Sequence, residues 1–423
     1  MKGAGMKVLG ATLTPVAFAD PPLLNCMGVH EPSALRSVLE VECEDGVVGL
    51  GESYGDASFL EQARRVVERL AGADVFDLPG LRRLVTETLA GAVVTDAHGL
   101  IGGYSADKTV ASVYSLIEVA FLDAQGHRLG VPVVDLLGGA ARDRVDFSAY
   151  LFYKYETHQD GSGDRWGRAL TPAEIVGQAT TMIEEYGFGS IKLKGGVFAP
   201  EEECEAIEAL AEAFPDLPLR LDPNAAWQVD TSVKVAERLD GVLEYLEDPT
   251  PGIEGMAAVA RRAPMPLATN MCVVSFADVA PAFRAEAVGV VLSDHHFWGG
   301  LRDTLALGTT CGAFGVGLSM HSNSHLGISL AAMVHVAAAT RQLTYACDTH
   351  WPWKTADVIE PGVLDFEGGA VAVPTGPGLG VSLDRDALAR AHERYTTCGQ
   401  TNRDDVSYMR RWEPGFTPNT ARW

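Results

Sequence analysis

Residues 217–227 read L-P-L-R-L-D-P-N-A-A-W, a short apolar run that stops at an acid, Asp222, followed by a proline and Asn224. Further along the chain, V-L-E-Y-L leads into Glu247, and M-P-L-A-T leads into Asn270. Three strand-like segments in succession therefore place an oxygen-bearing side chain where the strand ends. Because the carboxyl ends of barrel strands meet at one face, this spacing predicts a barrel with a metal site.

The pattern around that stretch is an alternation of strands and helices. Apolar runs recur from about residue 145 onward, and helical patterns fill most of the intervals, which is the arrangement and the size of a (β/α)8 TIM barrel. The predicted barrel strands are 146–152, 189–193, 217–221, 242–246, 266–269, 288–292, 315–319 and 343–347.

The first part of the chain has a different pattern. Residues 7–18 and 33–43 are predicted strands, and E-D-G at 44–46 predicts a hairpin turn with a glycine at positive φ. Helical patterns follow the returning strand. A sheet followed by helices predicts an α+β domain. The predicted helices are 57–72, 79–90 and 106–128.

We therefore predict three parts in the chain. Residues 1–138 form the α+β N-terminal domain, and residues 139–358 form the α/β barrel that carries the active site. The C-terminal segment, 359–423, contains a hairpin-like stretch and one helix but no further strand–helix unit. We expect it to pack back on the N-terminal domain.

Composition excludes several classes of protein. The net charge of −23 makes nucleic acid an unfavourable partner. The most apolar long segment, 325–340, is shorter than the ~20 residues that cross a bilayer, so no membrane association is expected. The seven cysteines lack C-x-x-C spacing, and no signal peptide follows Met1, which together favour a cytoplasmic protein. The motif G-L-G-E-S-Y-G at 49–55 lies inside a hairpin, so it does not predict a dinucleotide site.

Polar side chains stand at the end of every predicted barrel strand. Because TIM-barrel active sites are built at these ends, the residues form one set of candidates. In strand order they are Tyr150, Lys192 with Lys194, Asp222 with Asn224, Glu247, Asn270, Asp294, His321, and Asp348 with His350.

Asp222, Glu247 and Asn270 are the candidate metal ligands. Taken singly, each is a common turn or helix-cap residue. Together they form an all-oxygen set with two negative charges, which suits Mg²⁺.

Lys192 and Lys194 lie two residues apart on one strand, so both side chains point to the same face. If that face is the barrel interior, burial and mutual repulsion should lower the pKa of both ammonium groups. We therefore predict Lys194 as a general base and Lys192 as the partner of a substrate carboxylate.

His321 follows the seventh predicted strand, at the start of a helical pattern, and Asp294 follows the sixth. A carboxylate bonded to one ring nitrogen would fix the tautomer and leave the other nitrogen for proton transfer. The alternative is a zinc site formed by His321 and His325, although no H-E-x-x-H glutamate accompanies them. His335 lies on an apolar helix and is predicted to be a core histidine.

These motifs together resemble the enolase superfamily, and specifically its glucarate dehydratases. The series K-L-K, L-D-P-N-A-A-W, E-D-P, A-T-N-M, D-H-H-F-W and H-S-N-S-H occurs in order along the strand ends. Further similar motifs are G-V-H-E-P around His30, Y-L-F-Y at 150–153, D-T-H-W at 348–351, P-G-L-G-V at 377–381 and N-R-D-D at 402–405.

The resemblance implies a modified (β/α)8 barrel under an α+β capping domain that the C-terminal segment closes. It implies Mg²⁺ on Asp222, Glu247 and Asn270. Two acid/base groups would act on opposite faces of a diacid sugar. These are Lys194 and the His321–Asp294 pair, with Lys192 and Asn224 beside them.

The resemblance also implies a set of substrate contacts. A family threonine before the third predicted helix has no clear counterpart, and Tyr104 or Ser105 stands nearby. Of these two we take Ser105. The substrate-binding set is then His30, Tyr150, Lys192, Asn224, His350, Arg403 and Ser105.

The implied reaction is removal of the proton next to a carboxylate, followed by loss of the β-hydroxyl to give a keto-deoxy acid. D-Glucarate and its epimer L-idarate would both yield 5-keto-4-deoxy-D-glucarate, and two bases would also permit epimerisation. Three alternatives stay open: another aldarate or acid sugar as substrate, an epimerase without elimination, and a non-catalytic binding protein. Glu254 competes with Glu247 as the metal ligand, and we expect a homo-oligomer.

Overall fold

A computed structural model describes residues 5–92 and 106–423 of the chain. Its first layer is an antiparallel sheet of three strands, Val8–Ala19, Ser33–Cys43 and Val48–Tyr54, which we call the capping sheet. The predicted turn between the second and third strands is confirmed, with Asp45 and Gly46 at φ 64° and 75°. A small hairpin, Leu24–Asn25 with Gly28–Val29, leaves the sheet toward the barrel.

The helix Ala106–Leu129 packs directly on the third strand of the capping sheet. A Cβ on Gly49 would lie 2.0 Å from the Ala120 carbonyl oxygen, and one on Gly51 would lie 2.3 Å from that of Leu116. The glycines of G-L-G-E-S-Y-G therefore permit a close helix–strand approach, which agrees with the argument against a nucleotide site. The other helices of this layer are Ala57–Val67, Leu78–Thr88 and Val133–Leu136.

The barrel consists of eight strands, and the first seven form a continuous parallel series. The eighth pairs in parallel with the first, Cys347 opposite Phe147, and a bond from Thr344 N to Leu318 O joins the seventh strand to the segment before the eighth. Barrel strands one to eight are Arg144–Phe152, Ile191–Lys194, Leu219–Asp222, Leu243–Glu247, Leu267–Thr269, Val290–Ser293, Gly317–Met320 and Cys347–Asp348.

Seven α-helices alternate with these strands, and the barrel is a modified one. The eighth strand is followed by a short 3-10 turn, Trp351–Trp353, in place of a barrel helix. Six of the eight strands end one residue later than predicted, and in five of them the added residue is polar, as with Asp222 and Glu247, which still belong to the strand. The barrel helices are Pro172–Tyr186, Pro200–Ala213, Val229–Arg238, Gly252–Ala260, Phe276–Arg284, Leu301–Phe314 and Gly327–Ala339.

The C-terminal segment contacts both layers. Its hairpin, Phe366–Glu367 with Ala370–Ala372, pairs antiparallel with the first barrel strand. Its helix Arg385–Thr397 packs on the first strand of the capping sheet, where His392 Nδ1 donates to Pro15 O at 2.7 Å. The helix therefore packs on the N-terminal domain, whereas the hairpin and the last residues of the segment contact the barrel, where Ala421 N donates to Ala225 O at 2.9 Å. A short helix, Asp405–Met409, lies beside the small hairpin.

The division of the chain at residues 138 and 358 stays a prediction. None of the described helices combines the length with the apolar character that crossing a membrane requires.

Candidate active site

Lys192 and Lys194 project into the barrel among the carboxylates of neighbouring strands. Lys192 is fully buried, and its Nζ lies 2.6 Å from Glu247 Oε2 and 2.7 Å from Asp348 Oδ2. Lys194 Nζ lies 2.7 Å from Asp222 Oδ2. The structure therefore brings both lysines to the interior face, as the alternation on the strand predicts.

Left-handed backbone positions the side chains that follow the third and fourth strands. Asn224 and Ala225 have φ of 54° and 60°, and Asp248 has φ of 36°. Such conformations cost roughly 1–3 kcal/mol each in a non-glycine residue, so surrounding contacts must hold them. Ala225 N donates to Asp248 O at 2.6 Å, and Asn224 Oδ1 accepts from Lys194 Nζ at 2.5 Å.

The other two candidate metal ligands lie side by side. Asn270 Nδ2 donates to Glu247 Oε1 at 3.1 Å, and Asp248 accepts from the Asn270 backbone N at 2.8 Å. Asp248, which the sequence analysis did not single out, therefore fixes the strand end that carries Asn270. The competing acid, Glu254, is exposed on the helix Gly252–Ala260, whereas Glu247 is fully buried.

The charges at this end of the barrel shift several pKa values. Burial raises the pKa of Glu247 well above its usual range, and Lys192 offsets this only in part because Asp222 and Asp348 add to it. Burial would also raise the pKa of Asp222, but the ammonium groups of Lys194 and Lys192 bring it below the ordinary value.

The expected lowering of the lysine pKa values is wrong for this arrangement. Burial is the largest single effect on Lys194 and lowers its pKa, but the Asp222 carboxylate and Tyr150 together raise the pKa above the ordinary value. Lys192 behaves in the same way because Asp348 and Glu247 contact it. The sequence argument counted the repulsion between the two lysines but not the three carboxylates that the barrel brings to them.

His321 and Asp294 meet as predicted, with Nδ1 3.1 Å from Oδ2. His321 lies in the loop directly after the seventh strand, and the helix begins only at Gly327, so its predicted place at a helix start is wrong. His325 turns to a different partner, with Nε2 3.5 Å from Ser322 Oγ. This arrangement supports the pair with Asp294 over the zinc alternative.

Rings from separate parts of the chain pack around Phe152, a residue the sequence analysis did not single out. His30, Tyr150 and His350 have ring centroids 6.0, 4.7 and 5.4 Å from that of Phe152. His30 is anchored through Nδ1, 3.0 Å from Asp20 Oδ2. Burial is the main cause that lowers the pKa of His350 well below its usual range, and the neighbouring His30 and His321 add to it. Three predicted substrate contacts therefore lie close together.

Arg403 reaches the same end of the molecule from the C-terminal segment. Its guanidinium is bidentate to Asp405, at 2.9 and 2.6 Å, and it lines a small cavity with Arg36 and Asn323. Ser105, the remaining predicted contact, lies outside the described residues.

Three residues at the boundary with the capping sheet were missed by sequence reasoning. His296 Nδ1 is 2.6 Å from Asp294 Oδ1, and its Nε2 is 3.0 Å from Arg36 Nη2. Arg36 Nε in turn donates to Glu52 Oε1 at 2.9 Å. His296 stands two residues after Asp294 and could have been found from that spacing. Arg36 and Glu52 sit within strand patterns that carry no such signal.

Comparison with known proteins adds a family to this geometry. Residues 174–387 match the family described as Enolase C-terminal domain-like. Residues 11–138 match the N-terminal domain of the mandelate racemase and muconate lactonizing enzymes. The chain belongs to the enolase superfamily.

Individual members of the superfamily resemble most or all of the chain. A probable glucarate dehydratase of Streptomyces coelicolor is 54% identical, with 99% of each chain covered. Muconate cycloisomerase 1 of Rhodococcus opacus is 28% identical over 81% of this chain and 85% of its own length.

A crystal structure of an enolase from Thermobispora bispora, complexed with magnesium and formate, is 58% identical. It has a TM-score of 0.97 and covers 99% of this chain and 100% of its own. An enolase from Pseudomonas fluorescens with bound magnesium, potassium and tartrate is 52% identical. Its TM-score is 0.96, and 99% of this chain and 100% of that one are covered. The modified TIM barrel with its capping domain is therefore the superfamily fold, and the chain is an enzyme of that superfamily.

Proposed function

We propose that this enzyme is a Mg²⁺-dependent dehydratase of a diacid sugar, with D-glucarate and L-idarate as its substrates. The observation that carries the proposal is the buried cluster of two lysines and three carboxylates at the same end of the barrel as the His321–Asp294 pair. Such a cluster has the parts needed to remove a proton next to a carboxylate. It is supported by the similarity to a probable glucarate dehydratase and by the tartrate, itself a hydroxy diacid, in one relative.

The donor set fits magnesium. Asp222, Glu247 and Asn270 offer hard oxygen atoms, and Glu247 has a pKa held high by burial and its acidic neighbours, a state that a divalent cation would relieve. We assign these three residues as the ligands. When bound, magnesium would supply positive charge beside the substrate carboxylate whose α-proton is removed.

Lys194 is the proposed base on one face of the substrate. Its Nζ is held by Asp222 and Asn224, so the nitrogen has a fixed position from which to take the proton. The Asp222 carboxylate is also the main group raising its pKa, and a cation engaging that carboxylate would weaken this effect. Lys192 is buried within 4 Å of the carboxylates of Asp222, Glu247 and Asp348. Its ammonium group would neutralise charge that develops on the substrate carboxylate.

His321 is the proposed acid on the other face. Asp294 engages Nδ1, which leaves Nε2 to give a proton to the departing hydroxyl. Enolase-superfamily sites generally combine a lysine or histidine base with Mg²⁺ that stabilises the enediolate. His30, Tyr150, His350, Arg403 and Asn224 would contact the remainder of the diacid, and Ser105 stays a predicted contact.

The test is turnover of a panel of aldaric acids by the purified protein with Mg²⁺, with release of a 2-keto acid detected by semicarbazide. In D₂O, Lys194→Met should abolish exchange of the α-proton for one configuration, and His321→Asn should abolish it for the other. Lys234→Met, the same change on an exposed helix position, is the matched control. No turnover with any diacid would contradict the proposal.

Deuterium incorporation without a keto product would instead identify an epimerase. That outcome has a structural basis, because Lys194 and His321 are separate proton-carrying groups at the same end of the barrel. The cytoplasmic location and the homo-oligomeric assembly stay predictions.

A further inference from the structure

The Asp294 carboxylate divides its two oxygens between two histidines. Oδ2 faces His321 Nδ1 at 3.1 Å, and Oδ1 faces His296 Nδ1 at 2.6 Å. Oδ1 also accepts from the His296 backbone N at 2.9 Å, and Asn323 Nδ2 donates to Oδ2 at 3.4 Å. Each of these four contacts is therefore with a group that can donate.

The far side of the His296 ring decides which nitrogen carries the proton. Nε2 lies 3.0 Å from Arg36 Nη2, and a guanidinium has donors but no acceptor. Ser329 Oγ, 2.9 Å from the same nitrogen, can donate as well as accept. Arg36 Nη2 also donates to Ser329 Oγ at 3.4 Å, which leaves the serine hydroxyl proton for Nε2. An unprotonated Nε2 can accept from both neighbours, whereas a proton on Nε2 would lie against the guanidinium N–H, so we take Nε2 as the acceptor. Nδ1 then carries the ring proton and donates it to Asp294.

Arg36 is itself fixed from the N-terminal domain. It is only 1% exposed, with Nε donating to Glu52 Oε1 at 2.9 Å and Nη1 donating to Asn323 Oδ1 at 3.2 Å. Glu52 also accepts from the backbone N of Leu326 and Ser329, both at 2.8 Å, at the start of the last barrel helix. The guanidinium that orients His296 is therefore held from both layers of the molecule.

We propose that His296 is a positioning residue: Arg36 fixes it as the neutral Nδ1–H tautomer, and it fixes the Asp294 carboxylate against which His321 works. The catalytic part of this inference rests on the proposed function. Proton transfer is then confined to His321 Nε2, since His296 has its only proton committed to Asp294. The capping sheet, through Arg36 and Glu52, thereby sets the geometry of an acid/base pair that lies wholly on the barrel.

Charged and titratable groups from several packed elements surround the two rings. The capping sheet contributes Arg36, Glu52 and Tyr54, whose ring centroid is 5.6 Å from that of His296. The loop after strand six contributes Asp294 and His295, and the segments after strands seven and eight contribute His325 and His350.

The tautomer is tested on the wild-type protein without substrate. Imidazole ¹⁵N NMR of histidine-labelled protein, with the His296 signals assigned by their loss in His296→Asn, should show Nδ1 protonated and Nε2 unprotonated. In His296→Phe the Nδ1–H proton resonance of His321 should move, and in His335→Phe it should stay. A His296 ring protonated at Nε2 would overturn the inference.

The consequence for catalysis is tested with the same variants. His296→Phe should lower kcat about tenfold or more, the size usual for groups that orient a reacting residue, with KM little changed. His296→Asn keeps an amide N–H near the position of Nδ1 and should recover most of the rate. His335→Phe removes a buried histidine remote from Asp294 and is the control. Equal loss in the Phe and Asn variants, or none in either, would refute the positioning role.

The two proposals fail in different ways. If the wild-type protein turns over no diacid while the NMR shows the Nδ1–H tautomer, the proposed function is wrong and the hydrogen-bonded arrangement stands. If turnover is normal but the tautomer is reversed, the assignment of His296 alone is wrong.

Discussion

Replacing Glu118 by glutamine should make the protein more stable than wild type at alkaline pH and not at acid pH. Glu118 is fully buried on the helix Ala106–Leu129, and its Oε2 accepts from Leu301 N at 2.6 Å at the start of a barrel helix. The close approach requires glycine at position 300, where a Cβ would lie 1.8 Å from Oε2. Burial is the main cause that raises the pKa of this carboxyl from 4.5 to about 7.

The magnitude follows from that pKa. A carboxyl whose pKa is raised on folding stabilises the folded state below its unfolded pKa, and this stability is lost as pH rises through the folded value. The stability contributed by Glu118 is therefore lost between about pH 4.5 and pH 7. At 1.36 kcal/mol per pKa unit, the free energy of unfolding of wild type relative to Glu118→Gln should fall by about 2.5 kcal/mol between pH 5 and pH 8.5. Other titrating groups contribute equally to both proteins and cancel.

The assay is urea unfolding followed by far-UV circular dichroism at both pH values. Glu87→Gln makes the same chemical change at an exposed position of the same domain and supplies the baseline. A wild-type-minus-variant difference that is the same at pH 5 and pH 8.5 would refute the reasoning. It would mean that the buried carboxyl is solvated or paired in a way the structure does not show.

Three further outcomes are expected. Gly51→Ala should lower the free energy of unfolding by about 1–3 kcal/mol, because the new Cβ meets the Leu116 carbonyl; an unchanged urea midpoint would contradict this. Burial lowers the pKa of His335 from 6.5 to about 4. Between these pH values the free energy of unfolding of wild type, measured in urea, should therefore fall by about 1.4 kcal/mol per pH unit relative to His335→Gln as the pH is lowered. Removal of divalent metal with EDTA should abolish turnover, and added Mg²⁺ should restore it. The Asp222→Asn variant should need at least about tenfold more Mg²⁺ for half-maximal activity, measured by titrating activity against metal concentration.

The sequence determined the barrel and the places of its polar residues. Apolar runs and helical patterns located seven barrel strands, and the eighth predicted run, 343–347, overlaps the observed strand only at Cys347. The acids and amides at the strand ends had to meet because parallel strands end at one face. The prediction of His335 as a core residue is also confirmed: it is fully buried, with Nδ1 accepting from Val134 N and Nε2 donating to Leu379 O. These conclusions depend on local patterns, which can be read directly from the amino-acid sequence.

Only the tertiary structure decided the electrostatics and the partners. The sequence places Lys192 next to Lys194 and therefore suggested repulsion, but folding brings Asp222 to Lys194 and Glu247 and Asp348 to Lys192. Contacts such as that of Arg36 with His296 join residues 260 positions apart in different layers, and no periodicity in either segment encodes them. Charges act through distance in space, and for a buried group a single neighbour at 3 Å can outweigh everything nearby in the chain.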